Sequence, residues 1–131
     1  MIAIVRSLAA TTGLALVLVA TAAIAAPKDY AFEPVSSDVR NGSGTELAVR
    51  IVHKPTGKPV EGAVLFRTRL DMSPESMEGM TAKHSALPSN EAGVYKFRAD
   101  LTMEGRWAFK VMAKIPGETE TVQGTVVFKA K

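Results

Sequence analysis

The chain has 131 residues, 47% of them hydrophobic, with 16 Lys and Arg against 13 Asp and Glu and no cysteine. That length suits one modest domain and excludes a doubly wound or barrel enzyme. The net charge of +3 comes without any basic block, which argues against nucleic acid or an anionic membrane as partner.

Residues 1–25 read as a cleaved signal peptide. A single cation, Arg6, precedes the apolar run LAATTGLALVLVATAAI, and Ala23-Ile24-Ala25 supplies a small-residue cleavage pattern before Ala26. The alternative is a retained membrane anchor. Ala, Thr and Gly dilute the apolar run, and Pro27 follows the cleavage pattern, so removal is the better reading. The expectation is therefore a periplasmic protein with no stable membrane insertion. Without thiols, such a protein has no disulfide, zinc-finger, iron–sulfur or blue-copper chemistry, and soft-metal binding falls to methionine and histidine.

Residues 26–45 are polar and turn-rich, with NGSG the strongest local breaker; they suggest an N-terminal arm or edge strand. The domain proper is expected over 46–131. Leu47, Val49 and Ile51 alternate with Glu46, Ala48 and Arg50, which is the period of a half-buried strand. KPTGKP at 54–59 reads as a hairpin-type connection. Over residues 62–72, Val64, Phe66, Thr68, Leu70 and Met72 share the inward phase, leaving Leu65, Arg67, Arg69 and Asp71 largely outward.

The next stretch, SPESMEGMTAKHSALPSNEAG, has turn chemistry at both ends. Within it Met80, Ala82, His84 and Ala86 share a phase, so one short edge strand fits better than a helix. Residues 94–103 alternate most clearly, Glu104-Gly105 is a turn candidate, and residues 106–115 alternate again through Trp107, Phe109, Val111 and Ala113. Residues 122–128 form the last strand. No helical apolar stripe occurs in the mature chain. The spacing predicts an all-β protein, an immunoglobulin-like antiparallel β-sandwich of about seven strands.

No nucleophile has a base and an orienting acid at recognisable spacing, so an enzyme is not expected. The unusual feature is DMSPESMEGM, three methionines in a polar, turn-like setting. One explanation is flexible filler under the sandwich edge. The other is a thioether site for Cu(I), which accepts sulfur and imidazole when thiolates are lacking. Strand order tests the second: successive antiparallel strands bring Met72, Met80 and Met103 to one end, with Met77 in the joining loop. His84 lies four residues beyond Met80, about 13 Å along a regular strand, and joins only if that stretch is irregular. His53 ends the preceding strand at the far end. Met112 and Trp107 are read as packing residues.

HKPTGKPVEGA, DMSPESMEGM, LPSNEAGVYKFRADLTMEGRW and ETVQGTVVFKA together resemble the YtkA-like and FixH-like family of exported domains. The resemblance implies an immunoglobulin-like sandwich outside the cytoplasm, tied to copper or heavy-metal handling. It carries over Met72, Met77, Met80 and Met103 as metal ligands and, with a looser match, His84. FixH-like members keep a membrane helix, whereas here the apolar segment leaves on cleavage. The leading expectation is a periplasmic module that holds or transfers copper as Cu(I) in metal homeostasis or efflux. Its partner would be an envelope protein such as an efflux adaptor or cuproprotein. The alternative is a metal-free structural or interaction module docking on a larger envelope complex, its methionine loop an adaptable apolar contact.

Overall fold

Alternating side chains let a strand bury one face and wet the other, and that period organises the molecule. A computed structural model describes residues 29–131, together with Gly13 and Ala15. The signal-peptide and cleavage readings lie outside the described residues. No helix among the described residues is long and apolar enough to cross a membrane.

Ten strands are present among those residues: β1 (Tyr30–Pro34), β2 (Asp38–Val39), β3 (Gly42–His53), β4 (Lys58–Pro59), β5 (Val64–Met72), β6 (Met77–Thr81), β7 (His84–Leu87), β8 (Val94–Leu101), β9 (Gly105–Lys114) and β10 (Val122–Ala130). One sheet has the order β1-β3-β8-β7, with β4 appended to β3; the other has the order β2-β10-β9-β5-β6. Every pairing is antiparallel except β2 with β10. The two sheets stack as a sandwich over Leu47, Val49, Ile51, Phe97, Trp107, Phe109, Val126 and Phe128, all buried.

The count exceeds seven for local reasons. The residues before 46 add two short strands. Tyr30–Pro34 pairs along the end of β3, and Asp38–Val39 crosses to the second sheet beside Lys129 and Ala130. The Tyr30 hydroxyl donates to Glu118 at 2.6 Å. Burial, then the Glu118 hydrogen bond and its charge, push that phenol up to about 12. The Phe32 ring covers Gly124, where a β-carbon would collide with it. The 54–59 connection pairs tightly enough to count as β4, with His53 opposite Lys58.

Two expectations fail at identifiable places. A bulge between Leu65 and Arg67 shifts β5 by one residue against β9, so Val64 and Phe66 face outward at 58% and 47% exposure and Leu65 turns in. The single edge strand expected through Met80 and His84 is two strands in different sheets. β6 pairs with β5 and β7 with β8, the chain crossing over at Ala82 and Lys83.

Candidate functional site

β5 ends where Pro74 enters. Proline has no amide proton to continue a ladder, and Ser73–Glu75 forms a 3₁₀ turn. Ser76 then takes a left-handed conformation, φ 58°, which reverses the chain into β6. A non-glycine residue is strained there, so Ser76→Gly should raise the unfolding free energy by about 0.5–1 kcal/mol, checked by denaturant titration. A lower stability would mean that the serine side chain supports the turn.

The reversal puts Met72 and Met77 opposite each other in register, after an irregularity that separates them from the Asp71–Thr81 pair. Met80 lies three residues further along β6. The β8–β9 connection, residues 102–104, reaches the same end, because Gly105 begins β9 and β9 runs antiparallel to β5. Met72, Met77, Met80 and Met103 thus fall at one end of the sandwich.

Their surroundings differ. Met72 has 0% exposure and its methyl group lies 3.0 Å from where a β-carbon on Gly105 would stand; its thioether belongs to the core. Met77 and Met80 are half-buried and pack on that core. Met103 is 39% exposed, and its carbonyl accepts the Trp107 indole N–H at 3.0 Å. The lone tryptophan is therefore fully buried filler that also pins the exposed methionine's backbone.

His84 sits apart from the methionines. Its Nδ1 meets the Ala82 carbonyl at 3.0 Å and its Nε2 meets the Thr68 hydroxyl at 2.7 Å. With Nδ1 donating to the carbonyl, Nε2 accepts from Thr68. Thr68 lies four residues before Met72, about 13 Å along β5. The ring also packs edge-on against Phe109, centroids 5.3 Å apart. This histidine joins β7 of one sheet to β5 and β9 of the other. His53 is half-buried, bonded to Thr56 at 2.8 Å and tilted against Tyr30. Among the described residues no group of three or more His, Cys, Asp or Glu side chains is arranged to hold a metal ion.

A polar clamp holds the methionine end, and sequence reading missed it. Asp71, expected on the wet face, has 0% exposure. One carboxylate oxygen accepts the Ser73 N–H at 3.0 Å; the other accepts Arg69 Nε at 2.8 Å and Lys110 Nζ at 3.1 Å. Burial pushes this carboxyl up, but the hydrogen bonds from Ser73, Arg69 and Lys110 together outweigh it and hold it well below the ordinary carboxylate range. The Arg69 guanidinium continues to the Glu78 carbonyl at 2.8 Å. On the other flank, Glu75 accepts the Arg106 Nε at 2.9 Å and its backbone N–H at 3.1 Å. Those hydrogen bonds, with Arg106's charge, lower the Glu75 carboxyl. The turn carrying Met77 and Met80 is tied down on both sides. The one sequence signal for this was the run Arg69, Leu70, Asp71, a carboxylate and a cation on the same strand face.

The family model described as YtkA-like matches residues 24–112. No curated protein matches the chain. Among solved structures, one described as "ZirS C-terminal Domain" is similar at a TM-score of 0.47 and 9% identity, with 100% of this chain and 85% of that chain covered.

Proposed function

The chain belongs to the YtkA-like family, and from that premise we propose that it is a non-catalytic, exported module that docks on a larger envelope complex through its methionine end. The division among the methionines carries this reading. Met72 is sealed in the core, while Met77 and Met80 are half-buried on β6 beyond the clamped turn and Met103 is exposed on the β8–β9 connection at the same end. Unbranched, polarizable side chains on a rigid support suit a contact that conforms to its partner. The signal-like residues 1–25 support a periplasmic setting. The orders β1-β3-β8-β7 and β2-β10-β9-β5-β6 support an immunoglobulin-like reading, since they divide the strands as that sandwich does.

The test uses the mature chain, stripped of metal by a chelator, to capture its partner from an envelope extract. Met77→Leu with Met80→Leu keeps apolar volume and should retain capture; Met77→Glu with Met80→Glu should lose it without loss of fold. Loss of capture in the leucine pair would show that sulfur itself is required.

The shared end of the four methionines favours a second reading, a Cu(I)-holding module in metal homeostasis or efflux. Met77, Met80 and Met103 have the donor chemistry for that soft ion; buried Met72 and hydrogen-bonded His84 fit less well. Anaerobic Cu(I) titration against a competing chelator should then give near one-to-one binding, weakened by the leucine pair and unchanged by His84→Ala.

A further inference from the structure

The two sheets leave one side of the sandwich open. β6 pairs only with Asp71 and Met72 of β5, and Ala82 N–H adds one bond to the Leu70 carbonyl. Residues 64–69 of β5 therefore pair with β9 alone among the described residues, which leaves an edge about 20 Å long. Phe66 is the bulged residue, with no partner in β9. Beside this edge runs a cleft of about 570 Å³ between β5 and β7, lined in part by Ala63, Leu65, Ala86, Leu87, Tyr95 and Phe97. The Tyr95 hydroxyl fixes its mouth, donating to the Val60 carbonyl at 2.7 Å and accepting the Ala63 N–H at 2.9 Å.

A free edge flanked by exposed Val64 and Phe66 is a template for another strand. Charge selects which one. The outer face of this sheet and its adjoining turn carry Arg67, Arg69, Arg106, Lys110, Lys114 and Lys129 against Asp38, Asp71, Glu75 and Glu78, and beside residues 64–69 the exposed charges are Arg67, Arg69 and Lys114. Three of these carboxylates are already engaged, Asp38 by Lys131, Asp71 by Arg69 and Lys110, and Glu75 by Arg106. Arg67 has no ion-pair partner among the described residues, and Lys114 lies 5.5 Å over the Phe66 ring. Two copies paired edge to edge here would set these cations against each other.

We propose that residues 64–69 accept an extended acidic segment of the partner protein by strand addition, with alternate apolar side chains entering the cleft and acidic ones facing Arg67. This goes beyond the docking-module reading by naming a second contact surface apart from the methionine end, and rests on that reading for the partner.

The probes are a nine-residue peptide alternating Val and Glu, its Val–Lys counterpart, and the Val–Glu peptide with a central proline, each titrated into the mature chain. The Val–Glu peptide should bind at least tenfold more tightly than the Val–Lys peptide and slow amide exchange at residues 64–69; the proline should abolish both effects. Arg67→Glu, on an exposed side chain, should invert the preference. Equal binding of the charged peptides, absence of binding, protection at β7 or at the methionine end, or self-association of the chain with protection at 64–69 would each overturn the proposal. Envelope capture separates the two levels. A partner held equally by wild type and Arg67→Glu would refute the edge and leave docking intact. No partner for wild type would refute docking, and the peptides then decide the edge alone.

Discussion

Phe109→Ala is expected to lower the unfolding free energy by about 3–5 kcal/mol, with the denaturant midpoint shifted and its slope retained. Phe109 has 0% exposure and lies where the sheets meet. It belongs to β9, yet its ring packs edge-on against Phe97 of β8, centroids 4.8 Å apart, and against His84 of β7. Alanine leaves a cavity bounded by rigid strands on both sides, where partial collapse recovers little. A loss below about 1 kcal/mol, the range of a volume-conserving swap, would mean that the sheets close over the gap and that the aromatic trio is not the joint between them.

The second large effect is electrostatic. Asp71→Asn should cost about 2–3 kcal/mol at neutral pH, within the range for hydrogen bonds to charged groups. Asparagine can still accept the Ser73 N–H, but its amide presents a donor to Arg69 and Lys110, which are donors themselves. The dependence on pH has a definite sign. The folded-state carboxyl titrates below its unfolded value, so its stabilisation is complete above about pH 4, near the ordinary aspartate value, and declines as pH falls toward the lower folded value. Paired urea titrations of wild type and variant should therefore show a constant gap from pH 5 to 8 that narrows in acid. A gap unchanged down to pH 2 would place the effect in packing and not in charge.

These two residues mark what can be read from one sequence. Phe109 was legible because β8, β9 and β10 are long antiparallel strands with one wet face, and period 2 survives wherever register is unbroken. Val64 and Phe66 were misassigned because one bulged residue inverts every position before it, and nothing in VLFRT marks the bulge. Asp71 was misread because a carboxylate in an outward phase looks solvated, and its burial depends on Lys110, which lies 39 residues away in sequence. The division of 77–87 between two sheets left no mark because Ala82 and Lys83 are not turn residues. The gathering of methionines at one end was legible from strand order alone. The exposure of each was not, because burial of Met72 depends on packing from neighbouring strands, as where its methyl group lies against Gly105 of β9.

The most direct test of the docking account is the methyl spectrum of protein labelled at methionine, followed as the captured partner is added under chelator. Signals from Met77, Met80 and Met103 should shift or broaden, while that of Met72, enclosed in the core, stays in place. Methyl signals that ignore the partner, or that respond together only when Cu(I) is supplied, would contradict docking through the methionine end.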